Sequence, residues 1–412
     1  MYVVRILPGE VTLKESPVSL ERALEKTLNA ARELSTEAVV LDDAGYRVLA
    51  EDIFSDTDMP PFSKSAMDGF ACRRADLREN LGENLEIVGE VAAGQMPSVV
   101  VGPGQCVRIM TGAPVPAGAD VVVMVEHTQI RDDGTLSITT PVGKDNICQP
   151  GEDIRKGEVV AKKGTRILAA HLAILAAAGG ATVNVYRRPT VGVIATGSEL
   201  VEPGQPVSGA TIRNSNSLQL MAQIRESGAI PVYYGIASDT LDSIGALVSG
   251  AKAECDVVAI SGGVSMGKYD VVPDALEAAG FSFEYSRVAM QPGKPTIFGA
   301  SGDNRWCFGF PGNPVSAYVA FEFLAKPFIS RLMGYHYQPR MIPAKLTDTL
   351  RRKKTTGTSS FPVRFTEPGV AELLEYHGSA HISAFSDADG IITVPQGVAR
   401  LEKGTVVYVR CL

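Results

Sequence analysis

Clustered cysteines are missing from this chain of 412 residues. Its six cysteines, at positions 72, 106, 148, 255, 307 and 411, form no CxxC pair and no cysteine and histidine spacing that suits zinc. We therefore expect reduced, structural thiols. His377 and His381 lie four residues apart, but the intervening Gly378 disfavours a metal-binding helix face.

An excess of positive charge is also missing. Lys and Arg number 39 against 46 Asp and Glu, and the net charge is -7. Because affinity for a phosphate backbone comes from clustered Lys and Arg, this balance argues against a nucleic-acid partner. Any anionic ligand must instead meet a local positive site.

Long apolar runs and a dinucleotide fingerprint are absent as well. The first residues lack the basic and apolar segments of a signal peptide, and the most apolar later stretch, 167–185, contains His171 and Asn184. We expect no membrane partner and a cytoplasmic location. Since no G-x-G-x-x-G occurs, the sequence does not support a dinucleotide-binding Rossmann domain.

The patterns that are present change along the chain. Residues 17–34 carry an apolar stripe at helical spacing, and residues 169–178 form a second helical stretch. Between them, short β-like runs are separated by Gly and Pro. These runs are 85–91, 105–110 and 120–126.

Strands and helices alternate after Arg188, which is typical of a parallel sheet covered by helices. The predicted strands are 190–195, 229–236, 256–260 and 306–310, and the predicted helices are 214–227, 239–252 and 315–333. After Tyr337 the pattern predicts only strands, at 345–350, 361–365, 371–376, 390–394 and 405–409.

We therefore predict an α/β multidomain protein with four parts. They are a helical, linking domain (1–55 and 147–187), an inserted β-rich domain (56–146), an α/β sheet domain (188–337) and a C-terminal β-barrel (338–412). Ligands of parallel sheets bind beyond the carboxyl ends of the strands, so the loops TGSE, SGGVSMGKYD and PGNP are where we expect chemistry.

The loop GGVSMGKY, residues 262–269, is close to a phosphate-binding P-loop. Tyr269 replaces the Ser or Thr that would hold magnesium, which disfavours an NTPase. Its glycine amides can still bind an oxyanion, with Lys268 adding charge. QPGKP and PGNPVSAY are Pro-bracketed loops that present backbone amides and Lys294, although Pro314 also fits a simple helix entry.

Several carboxylates lie in turn-rich contexts, and sets of oxygen ligands suit Mg²⁺ better than zinc. They are Asp68, Asp153, Glu199, Asp239 and Asp270. Each could instead be an acid that caps a helix or forms a turn. For Asp239, which precedes a predicted helix, this alternative is at least as good as a functional role.

Taken in order, seven strings resemble the molybdopterin molybdenumtransferases, a family related to the C-terminal part of gephyrin. They are PFSKSAMDGFA, RIMTGAPVP, PGEDIRKG, VIATGSELVEPG, SGGVSMGKYD, QPGKP and FPGNPVSA. The resemblance covers roughly residues 10–412.

The resemblance implies an elongated homodimer with its site between subunits. It implies adenylylated molybdopterin and molybdate as substrates, Mg²⁺ as cofactor, and molybdenum cofactor and AMP as products. Contacts with a molybdopterin adenylyltransferase and with cofactor-receiving proteins are also expected.

The family's site residues transfer to matching positions of this chain. The implied catalytic residues are Glu199, Asp270, Asp68 and Asp153, of which Glu199 and Asp270 would hold the metal. The implied substrate-binding residues are Thr111, Asp239, Ser265, Lys268, Arg287, Lys294, Pro311 and Pro314. Many members carry lysines where this chain has Arg287 and Gln291, so one positive charge is lost at Gln291.

Two other functions stay open at this point. A molybdopterin adenylyltransferase shares the domain with the TGSEL and PGNP loops, but it is a single domain. A gephyrin-like scaffold would keep the fold without the activity, and the intact acidic motifs argue against it.

Overall fold

The computed structural model describes residues 16–77, 84–264 and 271–412. By its contacts the chain divides into two compact units. The first contains the described residues of Met1–Glu37, Tyr46–Ala50 and Val185–Leu412, and the second contains Ala38–Gly45 and Glu51–Asn184. The four predicted domain boundaries are finer than this division and stay a prediction.

Helices alternate with strands in the first unit, and strands dominate the second. The α-helices are α1 Leu20–Ala30, α2 Ala169–Ala177, α3 Asn216–Glu226, α4 Leu241–Glu254, α5 Val272–Ala278, α6 Pro314–Ala320, α7 Lys326–Leu332 and α8 Ser383–Ser386. Short 3-10 helices are Leu41–Asp43, Arg74–Asp76 and Val125–His127, and Phe321–Ala325 is π-helical.

The first twelve strands are β1 Thr36–Val40, β2 Ile53–Phe54, β3 Lys64–Ser65, β4 Gly69–Cys72, β5 Glu86–Val91, β6 Gln105–Ile109, β7 Val121–Met124, β8 Thr128–Ile130, β9 Leu136–Ile138, β10 Ile147–Cys148, β11 Val159–Ala161 and β12 Thr182–Tyr186. The next nine are β13 Thr190–Thr196, β14 Leu200–Val201, β15 Ile212–Arg213, β16 Ile230–Ala237, β17 Val257–Ser261, β18 Ser282–Tyr285, β19 Met290–Gln291, β20 Ile297–Ser301 and β21 Arg305–Phe310. The last seven are β22 Met341–Leu346, β23 Leu350–Arg351, β24 Thr358–Glu367, β25 Val370–Leu373, β26 Gly390–Val394, β27 Arg400–Leu401 and β28 Val406–Cys411.

Helix α1 lies within the predicted segment 17–34 but is shorter, from Leu20 to Ala30. The side chain of Ser19 caps it by accepting a hydrogen bond from the backbone N–H of Arg22 at 3.1 Å. Thr27 is a polar residue on its buried face, and its hydroxyl is satisfied by the carbonyl of Ala23 and the hydroxyl of Tyr285. The helix therefore packs on the core of the first unit, where Trp306 donates to the carbonyl of Ala30.

The large sheet of the first unit has the strand order β16-β13-β17-β21-β20-β18. The first four strands are parallel, β20 pairs antiparallel with β21, and β18 pairs antiparallel with β20. Both faces are buried, as expected for a parallel sheet. An aromatic core with α1, α3, α6 and α7 covers one face, and α4 with α5 covers the other.

The long helix predicted at 315–333 is wrong in one respect. It is divided into α6, a π-helical turn at Phe321–Ala325, and α7. Pro327 stands in the first turn of α7, and a proline there has no N–H and crowds the carbonyl four residues before it. The wider π turn accommodates it.

The C-terminal strands close into a barrel as predicted. Strands β24, β25, β22, β28 and β26 pair in that order, and β26 pairs back with β24. The strand predicted at 345–350 is wrong, because a turn at 347–349 separates β22 from β23.

The second unit contains the predicted β-rich segment. Strands β5, β6, β4 and β7 form one sheet, which is buried on both faces. Burial raises the pKa of Cys72 and of Cys106 to about 12, so these thiols are protonated and inert. No described helix, in either unit, has the length and apolar character needed to cross a membrane.

Candidate active site

The parallel strands of the large sheet all end at one edge. Strand β13 ends at Thr196, β16 at Ala237, β17 at Ser261 and β21 at Phe310. The chain leaves β13 for β16 on one side and returns to β17 on the other, so the strand order reverses beside β13. Such a reversal opens a crevice at the carboxyl edge, where α/β sheets bind ligands.

Hydrogen bonds join the loops at this edge. The backbone N–H of Gly262 donates to the carbonyl of Phe310 at 3.0 Å. The buried Asn216 side chain donates to the hydroxyl of Ser261 and to the carbonyl of Gly312, both at 2.8 Å. The sequence pattern places Asn216 only within the predicted helix 214–227, but its side chain holds the SGG and PGNP loops together.

Two predicted acidic residues lie on either side of Ser198. The Oδ2 atom of Asp239 accepts hydrogen bonds from the N–H of Ser198 at 2.9 Å and from its hydroxyl at 3.0 Å. The carboxylate of Glu199 is exposed and folds over Gly197, where an added Cβ would lie 2.7 Å from Oε2. Helix α4 is capped by Thr240, so capping does not account for Asp239.

A buried hydroxyl completes the end of β13. Thr196 is 3 % exposed, and its Oγ1 has no hydrogen-bond partner among the residues that the structure describes. It faces Gly262, where a Cβ would lie 2.7 Å from this oxygen. Gly262 and Gly263 have φ values of +102° and +60°, so side chains are excluded there for backbone reasons too.

The two proline-bracketed loops are neighbours. Pro311 is buried directly after β21, and Pro314 begins α6. A Cβ on Gly293 of the QPGKP loop would lie 3.4 Å from the carbonyl oxygen of Ser316. The carbonyl of Lys294 accepts from two backbone N–H groups, so the loop is fixed while the Lys294 side chain is exposed.

Arg287 precedes the QPGKP loop, and Gln291 is its first residue. Arg287 is half-buried and its carbonyl accepts from the N–H of Val18 at 3.1 Å. Gln291 is exposed and pairs with Ser359 of β24. The QPGKP loop is therefore attached to the C-terminal barrel.

The C-terminal part of the chain also contacts the PGNP loop, and the sequence pattern does not predict this contact. The carbonyl of Ser379 accepts from the N–H of Val315 at 3.1 Å, and its hydroxyl accepts from Asn313 at 2.8 Å. The rings of Tyr318 and Phe385 lie 5.3 Å apart. No sequence signal identifies such a contact, because it joins residues 66 positions apart in the chain.

The second unit carries the remaining predicted residues. Oδ1 of Asp68 accepts from the N–H of Thr111 at 2.7 Å and from its hydroxyl at 2.8 Å. These two hydrogen bonds lower the pKa of Asp68 below its ordinary value, and the bond from the backbone N–H has the larger effect. Asp153 is exposed in a turn, and its N–H donates to the carbonyl of Met59 at 3.0 Å.

Three predicted site residues, Ser265, Lys268 and Asp270, lie outside the described residues. Within the described ranges, no three His, Cys, Asp or Glu side chains are grouped so that they could hold a metal ion. The exposed Glu199 beside Asp239 supplies oxygen donors of the kind that Mg²⁺ prefers. The metal site at Glu199 and Asp270 stays a prediction.

Comparisons with known proteins agree with this architecture. Three family models match: the MoeA N-terminal region (domain I and II) at residues 18–179, a probable molybdopterin binding domain at 192–331, and the MoeA C-terminal region (domain IV) at 343–412. Together they cover most of the chain, and their order follows that of the segments described above.

Curated and solved relatives extend over nearly the whole chain. The molybdopterin molybdenumtransferase of Bacillus subtilis is 37% identical over 407 residues, which is 96% of this chain and 94% of that protein. The enzyme of the same name from Haemophilus influenzae is 34% identical over 380 residues, 91% of this chain and 93% of that one. A crystal structure of a molybdopterin biosynthesis MoeA protein from Pyrococcus horikoshii OT3 matches with a TM-score of 0.83 and 29% identity, covering 96% of this chain and 100% of that chain. This chain therefore belongs to the MoeA family, the molybdopterin molybdenumtransferases.

Proposed function

We propose that this chain inserts molybdenum from molybdate into adenylylated molybdopterin, releasing AMP and forming molybdenum cofactor. As a member of its family the protein is a transferase. The proposal of this particular reaction rests on the carboxyl edge of the large sheet. There Glu199 and Asp239 flank Ser198, next to the loops that contain Gly197 and Gly262.

The difficulty of this reaction is electrostatic. Molybdate and a nucleotide phosphoanhydride are both anions, and each pair of unit charges at 4 Å repels by about 4 kcal/mol at an effective dielectric near 20. A protein with a net charge of -7 offers no general attraction. The repulsion must therefore be offset by charges placed at the site.

Two local features can supply that charge. The exposed Lys294 extends from a loop whose backbone is fixed, so its ammonium group can bind an oxyanion at little cost in ordering the loop. Mg²⁺, held by Glu199 and Asp270, would neutralise phosphate charge and favour AMP as a leaving group.

We propose the following exchange of bonds. One oxygen of molybdate bonds to the adenylyl phosphorus, the bond from this phosphorus to the bridging oxygen breaks, and the pterin keeps the bridging oxygen on its own phosphate. The two dithiolene sulfurs of the pterin then bond to molybdenum and replace two of its oxygens: one leaves as part of AMP, and the other leaves as water with the two thiol protons. The soft ligands come from the substrate, which fits a chain whose cysteines are scattered and mostly buried.

The test is a transfer assay with purified adenylylated molybdopterin, molybdate and Mg²⁺, in which AMP release is followed. Glu199→Ala should lower the rate by roughly 100-fold or more, because a group that stabilises charge in the transition state is lost. Glu254→Ala is the matched control, since Glu254 is exposed on the same unit at the end of α4, where β17 begins. Unchanged AMP release in Glu199→Ala would remove this residue from the mechanism.

The same preparation separates the alternatives. Incubation with ATP and free molybdopterin should give no adenylylated pterin, whereas rapid formation would identify an adenylyltransferase. The expected homodimer is tested by sedimentation of the full chain, and a monomer would contradict it.

A further inference from the structure

The carboxylate of Asp68 has unused hydrogen-bonding capacity. Both hydrogen bonds from Thr111 go to Oδ1, at 2.7 and 2.8 Å. An ionised carboxylate has about four acceptor sites, so the two that remain lie on Oδ2. Within the described ranges no Lys or Arg pairs with Asp68, and its side chain is exposed. The group is held in place and can still accept two hydrogen bonds from a ligand.

Apolar residues lie opposite Asp68 in the paired segments on both sides. Gly69 pairs with Ile109 of β6 and with Met124 of β7. Asp68 precedes Gly69 by one residue, so in these antiparallel pairings it lies between Met110 and Val125. Its carbonyl accepts from the N–H of Val125 at 3.0 Å. Met110 is 44 % exposed and Val125 is 45 % exposed.

The row Met110, Asp68 and Val125 is thus apolar, anionic and apolar across three adjacent segments. Gly69 makes this close arrangement possible, because a Cβ there would lie 2.0 Å from the carbonyl oxygen of Val123. An exposed thioether next to an ionised carboxylate suits a flat heterocycle that carries hydrogen-bond donors on one edge.

We infer that this row is the subsite for the pterin ring of the substrate. The pyrimidinone edge of a pterin presents its 2-amino group and its N3–H side by side, and both donate. Oδ2 of Asp68 can accept from both, while Met110 and Val125 contact the ring. This inference rests on the proposed function for the identity of the substrate.

The adenine ring of the same substrate fits this row less well. Adenine presents a donor next to an acceptor on each of its hydrogen-bonding edges. An acceptor-only carboxylate would repel the second of these groups. The geometry therefore favours the pterin end over the adenylyl end.

Fluorescence titration of the full chain with pterin and with lumazine tests the inference. Lumazine has an oxygen in place of the 2-amino group, so it lacks that donor. The wild-type protein should bind pterin about 10- to 100-fold more tightly than lumazine, the range of hydrogen bonds to a charged group. Asp68→Asn should bind both ligands with nearly equal affinity, because the amide offers a donor where the pterin needs an acceptor.

Asp133→Asn is a matched control. Oδ1 of Asp133 accepts from the N–H of Thr135 at 3.0 Å and from its hydroxyl at 2.6 Å, which is the arrangement at Asp68. This variant should keep the preference for pterin. Met110→Ala should weaken pterin and lumazine by the same factor, and this result does not depend on the stability of Asp68→Asn.

Equal affinity of the wild-type protein for the two ligands, or a preference retained in Asp68→Asn, overturns the inference. The transfer assay separates this failure from failure of the proposed function. If wild-type protein prefers pterin but releases no AMP from its adenylylated substrate, the subsite stands and the transfer reaction is wrong. If AMP is released without a preference for pterin, the transfer reaction stands and the ring binds elsewhere.

Discussion

Thr196 ends β13 with a hydroxyl that is buried and has no partner among the described residues. The sequence motif TGSE contains Thr196, but the residue in it that predicts chemistry is Glu199, so no role for Thr196 follows from the sequence. A buried, unsatisfied hydroxyl destabilises a fold, and such groups occur most often where function requires them.

We predict that Thr196→Val raises the free energy of unfolding by on the order of 1 kcal/mol, because valine has the same shape without the unsatisfied group. Thr27→Val is the control. Thr27 is equally buried, but its hydroxyl bonds to Ala23 and Tyr285, so that variant should lose stability. Chemical denaturation of the two variants measures both effects, and a loss of stability in Thr196→Val would contradict the prediction.

The helix after the PGNP loop shows how an element departs from its sequence pattern. Apolar spacing predicts one continuous helix, but Pro327 forces a π turn at Phe321–Ala325. The carbonyl of Glu322 in that turn accepts from Arg410 of β28, whose guanidinium lies 4.6 Å from the Phe323 ring centroid. Arg410 therefore connects the barrel to the helix that begins at the ligand loop.

Replacing Arg410 tests this connection. Arg410→Leu should lower the free energy of unfolding by about 2 kcal/mol, since it removes a charged hydrogen bond, leaves a carbonyl unsatisfied and loses the contact with Phe323. Removal of the buried Nε, which has no partner among the described residues, offsets part of this loss. Arg400→Leu is the control, because Arg400 forms an exposed ion pair with Glu402, and its loss should change stability by less than about 1 kcal/mol. Equal stability of the two variants in thermal unfolding would show that the π turn does not depend on Arg410.

Charge is the property that acts at the scale of the molecule. A chain of net charge -7 that binds two anionic substrates needs added positive charge. We therefore predict that a chelator abolishes AMP release, that Mg²⁺ restores it, and that the melting temperature changes little, because a catalytic ion is not part of the core. Full activity in excess chelator would exclude the proposed metal, and a large fall in melting temperature would indicate a structural ion instead.

Much of the architecture follows from local pattern. The apolar stripe in residues 17–34 predicts α1, and the alternation after Arg188 predicts the parallel sheet, because burial periodicity acts within a few residues. The same reasoning places the TGSE, SGG and PGNP loops at one sheet edge, and Glu199 with Asp239 lies there.

The sequence by itself determined the family, the parallel sheet and the acidic residues at its edge, since these depend on short strings and on periodicity. Only the tertiary structure decided that Asn216 joins two loops, that Ser379 reaches α6 and that Met110 and Val125 border Asp68. Such contacts arise between segments far apart in the chain. Their energy depends on distance in space, which no local pattern of residues encodes.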